Sequence, residues 1–362
     1  MSAVSSLSIV GYKSIRELRD FKLNNLNVLI GANGAGKSNL IGLFRFLNQI
    51  YEQQLQLYVQ KQGGPDALLH FGRETTDVLQ FMVCFDSGGY SCRLSPTVDN
   101  RLIVENESIW FGSYSFPDSG IASISIAKDN SMILSSQKYP DEYTPVRETI
   151  RDWHNYHFGN TSESAKVKRL QAGNDNLYLK SDAANLAAYL RMLYEKHPSQ
   201  YMRIVETIRL VAPFFDDFIH RPLEQEYIEL EWKQRGKPDT PFKAHMLSDG
   251  TLRFICLATL LLQPIELLPD TVIIDEPELG LHPYAVTVLA EILKQISDQR
   301  QLILSTQSVE LVNELSPKDV VVVDYEDDAS VFRRFSENEL SCWLAEYSLG
   351  ELWKRNILGG RP

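Results

Sequence analysis

The sequence predicts an α/β fold. The prediction rests on two short stretches, one that follows an apolar strand and one that contains an apolar strand. The first is Gly31–Ser38, G-A-N-G-A-G-K-S, which fits the pattern G-x-x-x-x-G-K-[ST]. The apolar run Leu26–Ile30 precedes it and a helical pattern follows it, and strand, loop and helix in this order are the context of a P-loop. The second is Thr271–Asp275, a strand that ends in a carboxylate with Glu276 directly after it.

The residues of the first stretch have the chemistry of a phosphate-binding loop. Glycines let backbone N–H groups turn inward around phosphate oxygens, and the N-terminus of the following helix adds partial positive charge. Lys37 would reach the β- and γ-phosphates of ATP, and the Ser38 hydroxyl would bind Mg²⁺. A glycine-rich turn before an ordinary helix is the alternative, although such a turn does not require Lys and Ser. The predicted ATP-binding residues are Gly31, Ala32, Asn33, Gly34, Ala35, Gly36, Lys37, Ser38 and Asn39.

The carboxylates of the second stretch suit the same ligand. Ligands of open α/β sheets bind at the carboxyl ends of the strands, where Asp275 is expected. Asp275 would hold Mg²⁺ through water, and Glu276 would orient and polarise the attacking water. An acidic turn that caps the next helix is the alternative interpretation.

Composition restricts the class of protein. The chain has 362 residues, 44% of them hydrophobic and 23% charged, as in soluble globular proteins. The net charge of −11 argues against a surface that coats DNA, but it allows a local basic groove. The longest apolar run, Phe254–Leu262, is too short to span a bilayer, and Met1–Ser14 lacks the pattern of a signal peptide. We therefore expect a cytoplasmic protein without a membrane partner.

The rest of the chain divides by its patterns. We predict a head up to 139 with an antiparallel β-layer, a mainly helical insertion over 140–235, a second part of the head over 236–325, and a tail over 326–362. The helix after the P-loop is expected to continue to about Gln60, and the last core strand to be Val320–Val323. The predicted strands of the β-layer are Val78–Phe85, Tyr90–Leu94, Arg101–Trp110 and Ile121–Ile126, and the predicted helices of the insertion are Ala183–Glu195 and Ser199–Leu210.

Two further stretches are candidates for sites. Ser248 precedes an apolar helix and reads as its N-cap, at a helix end that favours anions. His154 and His157 have the spacing of a metal pair, but no third ligand stands nearby, and packing with neighbouring aromatic residues is the alternative.

These motifs in this order resemble the ABC-type ATPase heads of the RecF, SMC and overcoming-lysogenization-defect (OLD) group. The matching stretches are Y-K-S-I at Tyr12, G-A-N-G-A-G-K-S, L-S-D-G-T, V-I-I-D-E-P-E, G-L-H-P and S-T-Q-S. The resemblance implies that Gly31–Ser38 is the Walker A loop and that Asp275 and Glu276 are the Walker B metal carboxylate and catalytic base. It also implies that Glu278–His282 is the D-loop.

The resemblance assigns the remaining site residues. The signature loop, which in this family contacts the γ-phosphate held by the other subunit, would be Leu247, Ser248, Asp249, Gly250 and Thr251. Gln307 takes the switch position, where histidine is usual. Lys13 is a candidate for ATP binding, and Gln137 is a candidate for the Q-loop glutamine that binds the metal. Asp249 stands where glycine is common, and Thr251 where glutamine or lysine is common. Because an amide cannot carry a proton, Gln307 predicts slow hydrolysis, suited to a switch.

We therefore predict a Mg²⁺-dependent ATPase whose heads form a homodimer around ATP. The resemblance suggests a switch, sensor or clamp in DNA repair or in defence against phages and plasmids, with DNA as a candidate ligand. OLD-like relatives often carry a nuclease domain after the head; here a separately encoded effector is expected. The alternatives are a non-hydrolysing scaffold and a transporter subunit. The apolar residues of the tail would dock on the head's own core or bind a partner; they are Leu340, Trp343, Leu344, Tyr347, Leu349, Leu352 and Trp353.

Overall fold

The computed structural model describes residues 3–86, 88–111, 121–129, 131, 144–221 and 226–361. The described strands are β1 (Val4–Tyr12), β2 (Ile15–Lys22), β3 (Leu26–Ile30), β4 (Leu79–Phe85), β5 (Gly88–Pro96), β6 (Leu102–Phe111), β7 (Ile121–Lys128), β8 (Asn155–Tyr156), β9 (Gln171–Ala172), β10 (Phe215–Phe218), β11 (Tyr227–Ile228), β12 (Glu231–Gln234), β13 (Lys237–Lys243), β14 (Thr271–Asp275), β15 (Gln301–Ser305), β16 (Val320–Glu326) and β17 (Ala329–Arg334). The described α-helices are α1 (Lys37–Tyr51), α2 (Leu55–Gln62), α3 (Thr144–Arg151), α4 (Leu186–Lys196), α5 (Pro198–Val211), α6 (Asp249–Leu262), α7 (Pro283–Ser297), α8 (Val309–Asn313), α9 (Glu337–Leu344) and α10 (Leu349–Lys354).

The chain divides into two compact units. The first comprises residues 1–155, 269–273 and 300–362, and the second comprises residues 156–268 and 274–299. The P-loop and the predicted switch residue therefore belong to the first unit, and the predicted signature loop, the predicted metal carboxylate Asp275 and the predicted catalytic base Glu276 belong to the second. The four-part division by motif remains a prediction.

An antiparallel sheet in the first unit has the strand order β2-β1-β4-β5-β6-β7. Along β4 the side chains of Leu79, Phe81, Val83 and Phe85 are buried and those between them are less buried, the period of a strand with one face on the core. The pairings confirm the predicted antiparallel β-layer, and they add the two strands that precede the P-loop.

The P-loop belongs to a second sheet with the strand order β17-β16-β3-β15-β14-β8. β3 lies between β15 and β16 and runs parallel to both. All five residues of β3 are buried, as expected of a parallel strand covered on both faces. The P-loop after β3 and Gln307 after β15 therefore follow the carboxyl ends of neighbouring parallel strands.

The helix after the P-loop is shorter than the sequence predicts. α1 ends at Tyr51, and Gln53 has a φ of 60°, which a right-handed helix cannot accommodate. A separate helix, α2, then runs to Gln62 and ends at Gly63 in the left-handed conformation, so the predicted stop before the two glycines is confirmed. The prediction of one continuous helix to Gln60 was wrong.

The second unit packs helices against one another beside small sheets. α5 contacts α4, α6 and α7, and α6 also contacts α7. The positions of α4 and α5 confirm the two predicted helices of the insertion. Short strands accompany these helices, in a three-stranded sheet of order β10-β12-β13 and a pair of β9 with β11. The insertion therefore mixes helices and strands.

α6 is buried over most of its length. Ten of its fourteen residues are buried, which indicates apolar contacts around most of its circumference. The buried Tyr189 hydroxyl donates a hydrogen bond to Gln263, the residue that follows α6. Within the described ranges, no helix is long and apolar enough to cross a membrane.

The tail docks on the first unit. β16 extends to Glu326, beyond the predicted end at Val323, and it pairs antiparallel with β17, which the sequence did not predict. Farther along the tail, Leu349, Leu352 and Trp353 are buried, whereas Trp343 is 46% exposed. Docking on the head's own core is therefore confirmed for the buried residues.

Candidate nucleotide-binding site

The backbone of the P-loop requires glycine where the loop enters α1. Gly36 caps the helix with a φ of 116°, a left-handed conformation that L side chains rarely adopt. A Cβ at this position would lie 2.0 Å from Ser330 Oγ and 2.8 Å from Ser14 Oγ. Both the backbone angle and the available space therefore exclude a side chain at this position.

Lys37 folds back over the loop that precedes it. Its side chain donates hydrogen bonds from Nζ to Gly31 O and, over 3.1 Å, to Ala32 O, and the residue is 5% exposed. The N-cap of α1 is Gly36, which has no side chain that could accept a hydrogen bond from the first N–H groups of the helix. A buried ammonium beside a helix N-terminus forms an anion site.

A chain of side-chain hydrogen bonds holds the loop from one side. Asn39 Nδ2 lies 2.6 Å from Ser14 Oγ, which lies 2.6 Å from Ser330 Oγ, which lies 2.5 Å from Ala35 O. Since the carbonyl only accepts and the amide nitrogen only donates, the protons run from Asn39 through the two hydroxyls to Ala35. Sequence reasoning missed Ser330 because it lies in the strand β17, which was not predicted.

Three other predicted site residues of the first unit are Lys13, Ser38 and Gln307. The Lys13 ammonium lies 3.4 Å from Gln62 Oε1, and burial, with a contribution from Arg45, lowers the pKa of Lys13. Lys13 therefore contacts α2, and its predicted contact with ATP stays a prediction. Ser38 and Gln307 are exposed. Gln137 lies outside the described residues.

Glu276, the second of the two carboxylates at the end of β14, has a strained backbone conformation. Glu276 has a φ of 49°, an uncommon conformation for a residue other than glycine, and such strain costs about 1–3 kcal/mol. The backbone carbonyl of Glu276 accepts a hydrogen bond from the Leu279 N–H over 3.2 Å, which turns the chain directly after the strand. His157 Nδ1 lies 3.2 Å from the carbonyl oxygen of Asp275, so this nitrogen carries the proton.

The signature loop begins α6 as the sequence predicts. Ser248 is the N-cap, and its hydroxyl accepts a hydrogen bond from the Thr251 N–H over 3.2 Å. Asp249, which stands where glycine is common, pairs with Lys168 over 3.4 Å. Ser248 and Asp249 are exposed, and Leu247 is buried. Asp249, the residue that replaces the common glycine, is therefore paired with a residue of opposite charge within the same unit.

The signature loop and the D-loop touch through their backbones. A Cβ at Gly250 would lie 2.5 Å from Gly280 O, so the approach requires glycine. The Arg253 guanidinium donates to Leu279 O and to Gly159 O, both over 2.8 Å. One side chain on α6 thereby joins the D-loop to the segment that follows β8.

Three histidines, His154, His157 and His282, lie in or near the predicted site stretches. Burial lowers the pKa of His154, and His157 bonds to the backbone of Asp275. His282 caps α7 by accepting the Tyr284 N–H at Nδ1 over 3.3 Å. Among the described residues, no group of three His, Cys, Asp or Glu side chains could hold a metal ion.

The fold and the loop define an ABC-type, SMC-like P-loop ATPase head, which confirms the resemblance. Residues 26–313 match the family described as "AAA domain, putative AbiEii toxin, Type IV TA system", and the chain belongs to this family.

Solved SMC heads have the same fold. One is an SMC head bound to the C-winged helix domain of ScpA; it is 15% identical with a TM-score of 0.61, and the match covers 94% of this chain and 99% of that chain. Another is an SMC head domain with an extended coiled coil, bound to the C-terminal domain of ScpA and derived from Pyrococcus furiosus. It is 16% identical with a TM-score of 0.58, and the match covers 96% of this chain and 99% of that chain. At these identities the likeness establishes the fold.

A curated relative matches over a shorter stretch. It is a putative ABC transporter ATP-binding protein of Methanosarcina acetivorans, 33% identical over 79 residues. The match covers 22% of this chain and 27% of the relative, so the chain spans about a quarter of the relative's length.

Replacement of Arg253 tests the link between the signature helix and the D-loop. We expect Arg253→Ala to lower the free energy of unfolding by about 1–3 kcal/mol, because two carbonyls lose a charged donor. Arg253→Lys should recover part of the loss, since one ammonium cannot reproduce the fork of a guanidinium. Urea denaturation monitored by fluorescence measures both values.

The exposed Arg169 of the same unit supplies the control. Arg169→Ala should change the free energy of unfolding by less than about 0.5 kcal/mol. Equal stability of the Arg253→Ala and Arg169→Ala variants would show that the contacts of Arg253 contribute nothing measurable.

Proposed function

We propose that this chain binds and hydrolyses ATP with Mg²⁺, and that ATP joins two copies into a homodimer. The observation that carries the proposal is the buried Lys37 ammonium at the N-terminus of α1, within a loop whose shape requires glycine. Such a site favours a polyphosphate, because backbone N–H groups, the helix dipole and the lysine all attract the same anion.

The chemical roles follow from the motifs. Lys37 would bind the β- and γ-phosphates, and Ser38 would bind Mg²⁺. Asp275 would hold the metal through water, and Glu276 would act as the base toward the attacking water. Gln307 would donate a hydrogen bond to the γ-phosphate, but its amide cannot take up a proton as a histidine can, so hydrolysis is slow.

The signature loop supports the dimer. Ser248 is exposed at the N-terminus of α6, where N–H groups attract an anion, and the carboxylate of Asp249 beside it is paired with Lys168. In the proposed dimer the γ-phosphate held by one copy meets this helix end of the other copy. ATP is then part of the interface, and its hydrolysis releases the two copies.

The proposed role is that of a switch, sensor or clamp in the cytoplasm, in DNA repair or in defence against phages and plasmids. It acts with a separately encoded effector, and DNA is a candidate ligand. The two similar SMC heads are each bound to a domain of ScpA, which supports a protein partner for this chain by analogy. Gln307 favours a non-hydrolysing scaffold as the alternative, and the short match to a putative transporter ATPase favours a transporter subunit.

Replacement of Glu276 tests hydrolysis. Glu276→Gln keeps the size of the side chain but removes its basicity, so the rate of ATP hydrolysis should fall by about 10²-fold or more. ATP binding should persist, and dimers should accumulate. Phosphate release and light scattering measure these quantities.

Lys37→Ala is the matched control for the same experiment. It should lose both ATP binding and ATP-dependent dimers, because the cation at the β- and γ-phosphates is gone. Unchanged hydrolysis in the Lys37→Ala variant would refute the P-loop assignment, and normal hydrolysis in the Glu276→Gln variant would place the base elsewhere.

Ser248 distinguishes a plain N-cap from a contact with the partner's phosphate. Ser248→Asp keeps a capping side chain but adds negative charge, so ATP should still bind one copy while ATP-dependent dimerisation is lost. Ser248→Arg should lose dimerisation through its bulk. If the Ser248→Asp variant dimerises as the unmodified chain does, Ser248 acts only as an N-cap.

The effector proposal predicts that the catalytic activity of this chain is limited to ATP. Trp343, which is 46% exposed, offers an aromatic contact for a partner beside the buried part of the tail. The purified chain should hydrolyse ATP and leave DNA and RNA intact in Mg²⁺ or Mn²⁺, as measured by gel electrophoresis. Cleavage that disappears on substitution of residues in this chain would contradict a separate effector.

A further inference from the structure

The segment Ser348–Arg361, called here the 348–361 segment, is fixed firmly to the first unit. Leu352 and Trp353 are fully buried. The Gly350 N–H donates to Asn313 Oδ1 over 2.8 Å, and a Cβ at Gly350 would lie 2.5 Å from the same oxygen. α10 therefore approaches α8 so closely that only glycine fits at the contact.

The far end of the 348–361 segment touches the P-loop. The Gly360 N–H donates to Asp324 Oδ1 over 2.6 Å, and Trp353 Nε1 donates to Gly360 O. A Cβ at Gly360 would lie 3.1 Å from the Cα of Gly31, the first residue of the loop. The backbone of the segment therefore packs on the backbone of the loop.

A cavity of about 400 Å³ opens where the 348–361 segment meets the P-loop. Its lining comprises Ala32–Ala35 of the loop, Asp324, Tyr325, Asn356 and Arg361. This volume lies within the range of ligand pockets.

The cavity is lined by one acidic side chain, Asp324, and one basic side chain, Arg361. The Arg361 guanidinium is exposed, and within the described part of the chain it forms no ion pair. The carboxylate of Asp324 already accepts the Gly360 N–H. A basic side chain that is exposed and outside any ion pair of the described residues therefore lines the same cavity as the phosphate-binding loop.

We propose that Arg361 binds the terminal phosphate of ATP held by the same chain. The inference rests on the proposed ATP site and deepens it. Lys37 Nζ donates to Ala32 O, and Ala32 also lines the cavity, so the P-loop borders both the Lys37 ammonium and the cavity that Arg361 lines. Residues 348–361 lie outside the stretch that matches the family, which ends at residue 313.

A guanidinium suits this role better than an ammonium. Its donors form a rigid fork that binds two oxygens of one phosphate, whereas lysine acts as a point charge. Because ADP lacks the terminal phosphate, Arg361 contributes to the affinity for ATP and little to that for ADP. The 348–361 segment thereby distinguishes the two nucleotides.

Calorimetry on the full chain with Mg²⁺ tests this, using a non-hydrolysable imido analogue of ATP and ADP as ligands. Arg361→Ala should weaken binding of the analogue by about tenfold or more, the usual size of a charge-assisted hydrogen bond, and binding of ADP by less than about threefold. Arg361→Lys should recover part of the loss. Arg355 lies in the same segment over the Tyr347 ring at 4.4 Å, so Arg355→Ala is the matched control and should change neither value.

Three outcomes would overturn the inference. Equal affinity of the unmodified chain and Arg361→Ala for the analogue would show that Arg361 does not touch the phosphate. Equal weakening for the analogue and ADP would assign Arg361 to the support of the loop instead. Failure of the unmodified chain to bind either nucleotide would refute the proposed function itself, which separates that failure from the first two.

Discussion

The structure of the first unit depends on a close backbone approach between β3 and β16. A Cβ at Gly31 would lie 2.1 Å from Val323 O, so the first residue of the P-loop must be glycine. The parallel pairing of the two strands brings these residues together, although 292 positions separate them (323 − 31). The loop therefore takes its shape from the far end of the chain as well as from its own sequence. β17 then adds Ser330, whose hydroxyl fixes the carbonyl of Ala35.

In the second unit the corresponding constraint is the contact between Gly250 and Gly280. It leaves no room for a side chain, and Arg253 adds two hydrogen bonds across the same junction. The ion pair at the start of α6 joins a Lys168 side chain that is 8% exposed to an Asp249 side chain that is 60% exposed. It holds a carboxylate near the helix end that the proposed dimer would use.

Local patterns predicted the parts of the site that depend on local chemistry. The P-loop, the Ser248 cap and the carboxylates after β14 each need particular residue types within a few positions, and such patterns are visible in one sequence. The break after α1 was missed because Gln53 has no breaker residue beside it. β17 follows β16 through a two-residue hairpin turn in which Asp327 and Asp328 both have positive φ. The sequence signal for this turn is the pair of adjacent aspartates, which the prediction did not use.

The contacts that hold the motifs in place could not be predicted in this way. Ser330, Arg253 and Lys168 each act on residues at least 26 positions away, and nothing in their immediate neighbourhood marks them. A serine in a mixed strand or an arginine on a helix is ordinary until the fold supplies its partner.

The proposed contacts of Gln307 and Arg361 with the terminal phosphate would converge on one small region. Gln307 directly precedes Ser308, which caps α8 by accepting the Leu311 N–H over 3.1 Å. α8 packs against α10, with Asn313 bonded to Gly350. The chain then leads from α10 to Gly360 and back to the P-loop. Because glycine backbones make the contacts at both ends, little side-chain freedom is available to absorb a shift of the loop. If hydrolysis removes the phosphate, the switch residue and the 348–361 segment lose the same ligand together, and α8 and α10 are the elements that connect them.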